Sequence, residues 1–271
     1  MDMASNTDDQ ERINRRVYHA PAVVREYRHR ATLNRAEALA LLKYQSAFAH
    51  KDVLDLGVGT GRTSIYLAPL ARHYEAIDYS PAMVDEVRSR MPMVSVRVGD
   101  IRDLSDFADA SFDFVFGSNC VIDAVSHTHR LMALSEMRRV LRRGAIAMFS
   151  SHNRQVRADL RSPAIRWSRN PVNSAMNLAR WWLQMSNRAR LQAQYQQEEE
   201  YALFSDEGHD HACLHYYIDQ AHQRSQLART GFETVEVLDA AGRNLGDDDP
   251  AEDSGWLMYV ARAADPTAQP R

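Results

Sequence analysis

The chain has 271 residues, of which 45% are hydrophobic and 25% are charged, and its formal net charge is −3 at pH 7. This composition indicates a globular protein with a sizeable core, and the negative balance argues against a generic nucleic-acid binder. The two distant cysteines, Cys120 and Cys213, do not build a disulfide framework, so we expect a reducing cytoplasm. We see no signal peptide at the N-terminus and no apolar run near the ~20 residues of a membrane span.

Helical and strand-like patterns alternate along most of the chain. Residues up to 49 are predicted to form a tail of about 12 residues and a helical cap. Seven apolar runs rich in branched side chains predict strands, at residues 52–57, 74–78, 94–100, 112–118, 144–153, 232–238 and 256–262. Helices are predicted between them, including one at 61–73 and one at 216–230. This alternation predicts an α/β fold with right-handed βαβ units, a mostly parallel sheet and helices on both faces.

The alternation is interrupted after the fifth strand by a stretch far longer than the usual connection of ~2–6 residues. We interpret this stretch as a helical insertion. The predicted organisation is a tail and cap at 1–49, a core at 50–153, the insertion at 154–215, the C-terminal part of the core sheet at 216–263, and a tail at 264–271.

The insertion is rich in arginine and nearly free of acids, and it carries an apolar stripe at helical spacing. The stripe consists of Ala175, Leu178, Trp182 and Met185. Four interpretations stay open: a lid packed on the core, an arginine-lined mouth for an acidic acceptor, an interfacial helix on an anionic membrane, and an RNA contact. The negative net charge weakens the last of these.

A glycine loop follows the first predicted strand, in the sequence VLDLGVGTGR at residues 53–62. Gly57, Gly59 and Gly61 would present backbone N–H groups to a ligand, but their spacing differs from the GxGxxG of dinucleotide sites. Asp55 precedes the loop, where its oxygens could accept from an ammonium group and would repel a pyrophosphate. The pattern therefore favours a ligand with an amino-acid tail.

Acids also end the second and third predicted strands. Asp78 is placed to accept both hydroxyls of a ribose. Asp100 and Ile101 could meet the amino group and the ring face of an adenine. Because the carboxyl ends of parallel strands share one edge of the sheet, these groups predict a single site for an adenosyl amino acid.

These segments resemble the class I S-adenosylmethionine-dependent methyltransferases. The resemblance rests on DLGVGTG, AIDYSPAMV, GDIRDL, SFDFVFGSNCVID and EMRRVLRRGAIAMFSSHN in that order. It implies a Rossmann-like, seven-stranded sheet with a reversed final hairpin, and S-adenosyl-L-methionine as cofactor, with no metal expected. It further implies that the three glycines approach the methionine part, that Asp78 holds the ribose, and that Ser118 and Asn119 lie near the sulfonium. Tyr79, next to Asp78, is a further candidate for cofactor binding.

Candidate acceptor-side residues come from segments outside these motifs. His152 follows the fifth strand and is a candidate general base. His215 and Tyr216, with Tyr217, are predicted to line the acceptor pocket, and Asp123 is a further candidate on the acceptor side. Two tyrosines of the cap, Tyr18 and Tyr27, are candidate lid contacts. The histidines lack zinc spacing, so no metal site is predicted.

The predicted function is methyl transfer to an oxygen or nitrogen of a small-molecule acceptor, which could be acidic or a biosynthetic metabolite. A macromolecular methyltransferase acting on RNA or protein, and a non-catalytic S-adenosylmethionine-binding partner, stay open as alternatives. An oxidoreductase is a more distant one. We expect a monomer or homodimer, no nucleic-acid partner, and a possible peripheral membrane contact through the insertion.

Overall fold

The computed structural model describes residues 3–156 and 163–265. Its helices are α1 (Met3–Tyr18), α2 (Pro21–Arg28), α3 (Arg35–Lys43), α4 (Ser64–Leu67), α5 (Pro81–Arg90), α6 (His127–Val140), α7 (Pro171–Leu191) and α8 (Gln220–Arg229). Its strands are β1 (Asp52–Leu56), β2 (His73–Asp78), β3 (Ser95–Val98), β4 (Phe112–Gly117), β5 (Leu141–Asn153), β6 (Gln196–Gln197), β7 (Tyr201–Phe204), β8 (His215–Ile218), β9 (Phe232–Asp239) and β10 (Trp256–Ala263).

The seven predicted strands form one sheet in the order β3-β2-β1-β4-β5-β10-β9. The first five strands run parallel, whereas β10 is antiparallel to both of its neighbours. This confirms the mostly parallel Rossmann-like sheet with a reversed final hairpin. Because all parallel strands point the same way, the loops after β1 to β5 meet at one edge.

Three further strands extend the sheet and were not predicted. β4 pairs with β5 only as far as Phe149, so the end of β5 protrudes beyond it. This protruding end pairs in parallel with β8 through His152 and Asn153, and β8 continues into antiparallel β7 and β6. The predicted helix at 216–230 is therefore wrong in its first residues, where the chain is strand. The helix α8 begins only after Asp219, whose carboxylate accepts the N–H of His222.

Buried apolar side chains cover both faces of the sheet. One cluster packs α6 and α8 against the sheet, with Leu134, Met137 and Leu227 at its centre. The other packs α3 and α5 on the opposite face, with Ala40 and Val84 among its members. Helices therefore lie on both faces, as predicted, and the two layers hold the loop edge rigid.

Local side-chain interactions explain where α3 begins and where α4 ends. A capping box starts α3, in which the side chain of Asn34 accepts the Glu37 N–H and Glu37 accepts the Asn34 N–H. α4 is far shorter than the predicted helix at 61–73: it ends at Leu67, and Pro69, two residues later, cannot continue helical hydrogen bonding.

The N-terminal segment departs from the predicted tail, because α1 already begins at Met3. Residues 157–162 of the predicted insertion and 266–271 of the predicted C-terminal tail lie outside the described residues. None of the helices within 3–156 and 163–265 combines the length and apolarity needed to cross a bilayer.

Candidate active site

The loop after β1 has a backbone that requires glycine. Gly57, Gly59 and Gly61 all have positive φ, at +63°, +57° and +87°. A Cβ on Gly57 would lie 2.1 Å from a methyl of Val121, so a side chain there would clash as well as strain the backbone. The glycines therefore let the loop turn closely beneath a cavity at the carboxyl edge of the sheet.

This cavity, which we call the cofactor cavity, gathers residues from four strand ends and from the N-terminal helices. It is lined by Gly57, Gly59, Asp78, Tyr79, Asp100, Ile101, Ser118 and Asn119 from the strand ends. Asn14, Arg15 and Tyr18 of α1 and Tyr27 of α2 cover it. The structure thus brings together most of the side chains that the sequence indicated, and it places both candidate lid tyrosines at the cavity.

Asp78 is buried with its carboxylate at the cavity wall. Its two oxygens accept the backbone N–H groups of Gly59 at 2.8 Å and of Ser80 at 2.9 Å. Burial raises the pKa of Asp78 to about 6 in spite of these bonds. Asp78 therefore ties the glycine loop to the end of β2 and still borders the cavity.

Asp100 also lines the cavity, but its carboxylate already has a strong partner. Arg102 donates to it from Nε at 2.8 Å and from a terminal nitrogen at 2.5 Å, and its backbone N–H adds a third bond. Burial alone would raise the pKa of Asp100, but Arg102 outweighs this and lowers it. Ile101 beside it is buried and offers an apolar wall.

Two of the predicted cofactor contacts, Asp55 and Gly61, do not line the cavity; Gly61 lies against Met91 and Val87. The side chain of Asp55 is fully buried. Its carboxylate instead accepts the hydroxyls of Thr63 at 2.5 Å and Tyr74 at 2.6 Å, and burial raises its pKa to about 6. The position of Asp55 within β1 directs its side chain to the layer of the sheet that holds Tyr74. The predicted direct contact is therefore wrong, and Asp55 supports the loop from beneath.

A buried ion pair next to the loop was missed by the sequence reasoning. Arg62, the residue after the last loop glycine, lines the cavity and donates two bonds to Glu37 at 2.6 and 2.8 Å. Ser118 also donates to Glu37 at 2.5 Å and contacts Arg62. Arg62 could have been identified from the sequence, because it directly follows the glycine loop. Glu37 could not, because it belongs to the distant helix α3.

The side chains present fit an adenosyl amino acid in the cofactor cavity. The hydroxyl of Tyr79 is buried at the wall and has no hydrogen-bond partner among the described residues. Tyr79 follows Asp78 in the chain and lines the same cavity, while Ile101 supplies the apolar surface that a base requires. A buried polar atom without a partner is rare unless a ligand or water completes it.

A second cavity, which we call the acceptor cavity, adjoins the first. The two share Tyr18, Tyr27, Arg30 and Asn119 in their walls. The rest of its lining includes Cys120, Ser150, His152, Asp206, His209, His215, Tyr217 and Trp256. The predicted acceptor-side residues His152 and His215 therefore lie in one cavity next to the predicted cofactor site.

His152 is held between two carboxylates. Its Nδ1 lies 2.7 Å from Oδ2 of Asp123, which also accepts the His152 backbone N–H at 2.6 Å. Its Nε2 lies 3.5 Å from Oδ2 of Asp206. Asp123 is fully buried and paired with Arg130, and although burial alone would raise its pKa, Arg130 and His152 lower it. Because an ionised Asp123 only accepts hydrogen bonds, it holds a proton on Nδ1 of His152, while Nε2 faces the Asp206 carboxylate.

Asp206 and His215 form a buried ion pair beside His152. His215 Nδ1 lies 2.7 Å from Asp206 Oδ2, and Tyr217 donates to the same oxygen at 2.9 Å. Burial opposes charge on both groups, but their mutual attraction outweighs it, so the pKa of His215 is raised and that of Asp206 is lowered. Tyr18 extends this series of hydrogen bonds, with its hydroxyl 3.1 Å from His215 Nε2. Asp206 was not identified from the sequence.

Tyr216 does not belong to this cavity, so its assignment as a catalytic residue is wrong. Side chains alternate along a strand, and β8 turns His215 and Tyr217 to the acceptor cavity and Tyr216 to the other face. There the Tyr216 hydroxyl lies 2.8 Å from Nδ1 of His127 and accepts a bond from Gln226. Because a helix was predicted at this point, the alternating orientation of Tyr216 and Tyr217 was not foreseen.

The acceptor cavity also contains atoms of the kinds that bind metals. The side chains of His152, Asp206 and His215 offer ligand atoms within 4.8 Å of one another, as do those of Cys120, Asp123 and His152. Zinc and iron are bound by such nitrogen and carboxylate sets. The hydrogen bonds described above already give each of these carboxylates a partner, and the sequence predicts no metal here.

Comparison with known proteins finds that the chain is similar to methyltransferases. Residues 53–144 match a protein-family model described as "Methyltransferase domain". A probable S-adenosylmethionine-dependent methyltransferase of Mycolicibacterium smegmatis is 36% identical over 107 residues, which cover 39% of this chain and 40% of that protein. A malonyl-[acyl-carrier protein] O-methyltransferase of Serratia marcescens is 32% identical over 121 residues, covering 45% and 46%. The chain thus spans less than half the length of these relatives.

The fold has the same kind of neighbour among solved structures. A 1,6-didemethyltoxoflavin-N1-methyltransferase of Burkholderia thailandensis, solved with 1,6-didemethyltoxoflavin and S-adenosylhomocysteine, has a TM-score of 0.52 and 15% identity, covering 84% of this chain and 77% of that one. At this identity the likeness concerns the fold. Residues 53–144 therefore resemble a methyltransferase domain, and the chain has the fold of an S-adenosylmethionine-dependent methyltransferase.

Proposed function

We propose that the protein transfers a methyl group from S-adenosylmethionine to an oxygen or nitrogen of a small-molecule acceptor, with His152 as general base. One observation carries this proposal. The cavity that contains His152 adjoins the cofactor cavity, with which it shares Tyr18, Tyr27, Arg30 and Asn119 in its walls. An acceptor bound beside His152 would therefore have the cofactor as its neighbour.

Three side chains are proposed to hold the cofactor. The Asp78 carboxylate would accept ribose hydroxyls, Tyr79 would bring its unpartnered hydroxyl to the same region, and Ile101 would pack on adenine. When bound, S-adenosylmethionine supplies a methyl group activated by the adjacent sulfonium charge. The protein then has to hold the acceptor in line and remove its proton.

His152 is arranged to take that proton. Asp123 holds its Nδ1–H, and Nε2 lies beside the Asp206 carboxylate, which also lines the acceptor cavity. When Nε2 accepts a proton, the imidazolium lies between the carboxylates of Asp123 and Asp206, which stabilise the positive charge. We propose Asp123 as a positioning residue, and His215 as the group that holds Asp206 through their ion pair.

The cavity lining supports a compact acceptor with an unsaturated or aromatic part. Tyr27 lies against His209 with the rings 5.8 Å apart and nearly parallel, and Tyr217 and Trp256 add further aromatic surface. The names of the S. marcescens and B. thailandensis proteins indicate acceptors attached to a carrier protein and free in solution, respectively. We propose a free small molecule and a cytoplasmic location, since Cys120 and Cys213 are both unpaired and buried.

The test compares His152→Ala with the unaltered protein on a pooled small-metabolite fraction and radiolabelled S-adenosylmethionine. General-base catalysis is worth ~10²–10⁴ in rate, so we expect the initial rate of label transfer to fall by about that factor. Calorimetry should show unchanged affinity for S-adenosylhomocysteine, because His152 does not line the cofactor cavity. Undiminished transfer by the variant would refute the base assignment. Label that enters only RNA or protein would refute a small-molecule acceptor.

A further inference from the structure

The helix α7 is attached to the rest of the protein by its polar side. Arg180 Nε and Gln184 Nε2 donate to the carboxylate of Asp210 at 2.6 and 2.9 Å, and Asn187 donates to the Asp210 carbonyl at 2.9 Å. Positions 180, 184 and 187 lie on one face of a helix. Of the 21 residues of α7, only Gln184 and Leu191 are buried. The helix therefore buries little apolar surface against its own core.

The opposite side of α7 is apolar and faces solvent. Leu178, Trp182 and Met185 are 36%, 63% and 38% exposed, and they lie about half a turn away from the side that contacts Asp210. We call this surface the α7 outer face; it comprises Ala175, Leu178, Trp182 and Met185. A surface helix normally turns its apolar stripe to the core and its polar stripe to water. The reversed orientation of α7 indicates that something apolar covers the outer face.

Charge identifies the kind of partner. The segment 163–191 contains five arginines and no aspartate or glutamate, although the whole chain is negative. Arg166 and Arg180 pair with acids of the 207–210 turn. Arg169, Arg188 and Arg190 make no ion pair with any residue that the structure describes. An apolar helix face with tryptophan between arginines is the composition of a helix that rests in the interface of an anionic bilayer.

We propose that the α7 outer face binds the surface of an anionic phospholipid bilayer. The apolar side chains of the face enter the boundary between headgroups and acyl chains, and Arg169, Arg188 and Arg190 contact the lipid phosphates. A second copy of the chain is a less suitable partner. In a two-fold symmetric pair through this face, each arginine-rich segment would lie against its equivalent and repel it.

This surface lies close to the acceptor cavity. α7 holds the 208–211 turn through Asp210, and in that turn His209 stacks on Tyr27 and lines the cavity. Three successive residues of the turn, His209, Asp210 and His211, have positive φ, so the turn depends on its contacts with α7. Binding of α7 to a bilayer would place the acceptor cavity near the lipid surface. The inference goes beyond the proposed function, because bilayer binding does not require methyl transfer.

The test is co-sedimentation of the full chain with vesicles of phosphatidylcholine, with or without phosphatidylglycerol. We expect sedimentation only with phosphatidylglycerol, and loss of it at high salt. Arg188→Gln with Arg190→Gln should lower the partition coefficient by about 30-fold, from ~1 kcal/mol for each basic residue near the surface. Trp182→Ser with Met185→Ser should lower it by at least ~10-fold, because two apolar side chains leave the interface.

Met93→Ser is the matched control, because Met93 is an exposed apolar residue far from α7 in the chain, and it should bind vesicles like the unaltered protein. Circular dichroism checks that all variants are folded. Equal sedimentation with and without phosphatidylglycerol would overturn the proposal, as would vesicle binding that the Trp182/Met185 variant retains. A concentration-dependent dimer that this variant abolishes, without vesicle binding, would assign the face to a second copy. Retention by RNA in place of vesicles would also overturn the proposal.

Discussion

Replacing Asp78 by asparagine separates its contribution to cofactor binding from its contribution to the fold. The carboxylate accepts the N–H groups of Gly59 and Ser80 and borders the cofactor cavity. Asparagine keeps the shape but offers one acceptor oxygen in place of two. Its NH₂ group would face either a backbone N–H or a ribose hydroxyl that previously donated to the carboxylate.

The magnitudes indicate that binding suffers more than stability. A hydrogen bond to a charged group is worth roughly 1.5–3 kcal/mol, so losing one to the ribose should raise the dissociation constant by about 30-fold. The pKa of Asp78 is raised to about 6 from an ordinary value near 3.8. Ionised Asp78 therefore costs the ligand-free fold roughly 3 kcal/mol at neutral pH, by the relation between pKa and free energy. Removing the charge relieves that cost, so the unfolding free energy should fall by no more than ~1 kcal/mol.

The same pKa predicts a pH dependence. Ribose hydroxyls donate to the ionised carboxylate, so cofactor binding should tighten as pH rises through about 6 and then level off. Asp78→Asn should lack this dependence. In the ligand-free protein, by contrast, the unfolding free energy should fall as pH rises. A carboxylate with a raised pKa destabilises the fold increasingly between its pKa in the unfolded state and its pKa in the folded state.

Isothermal titration calorimetry with S-adenosylhomocysteine, from pH 5 to pH 8, measures both effects, and urea unfolding measures stability. Asp85→Asn is the control, since Asp85 lies on the adjacent helix α5 with its side chain 73% exposed. An affinity for S-adenosylhomocysteine in Asp78→Asn equal to that of the unaltered protein would refute the ribose assignment. A loss of stability much larger than 1 kcal/mol would refute the cost assigned to the buried charge.

Three further outcomes are expected. Incubation with a strong chelator should leave label transfer unchanged, because the Asp206 carboxylate already has hydrogen-bond partners in His215 and Tyr217; loss of activity restored by a divalent metal would mean that this cluster is a metal site. Tyr217→Phe should reduce the transfer rate several-fold and Tyr216→Phe should not, since only the former lines the acceptor cavity; equal effects on the initial rate would contradict the strand alternation. Asp206→Asn should lower the unfolding free energy near pH 6 by ~3 kcal/mol, because it removes the partner of a buried His215. Because the pKa of Asp206 is lower in the folded than in the unfolded state, its ionisation stabilises the fold above the unfolded-state pKa, and this stabilisation is lost as pH falls towards the folded-state pKa. Urea titrations in acid should therefore show the difference in unfolding free energy between Asp206→Asn and the unaltered protein becoming smaller. A difference that stays constant would argue against the ion pair.

The cofactor side of the site could be predicted from the sequence to a large extent. Glycine is the residue that adopts positive φ without strain, so the spacing of Gly57, Gly59 and Gly61 predicted a tight loop at this point. Strand ends in a parallel sheet meet at one edge, so Asp78 and Ile101 could be placed together without coordinates. These are local consequences of backbone conformation and chain direction, which short stretches of sequence contain.

The acceptor side depended on contacts between distant segments. Asp206 comes beside His152 only because the protruding end of β5 recruits β8 into the sheet, and the sequence pattern at this point favoured a helix. The same pairing decides by alternation that Tyr217 faces the cavity and Tyr216 does not.

The sequence by itself determined the fold class, the glycine loop and the apolar stripe of α7, because each follows from periodicity or from the backbone preferences of single residues. The tertiary structure alone decided that Asp55 turns away from the cofactor cavity and that α7 turns its apolar side outward. The orientation of a side chain or a helix depends on which neighbour offers it a partner, here Tyr74 for Asp55 and Asp210 for α7. Those neighbours are fixed only when the whole chain has packed.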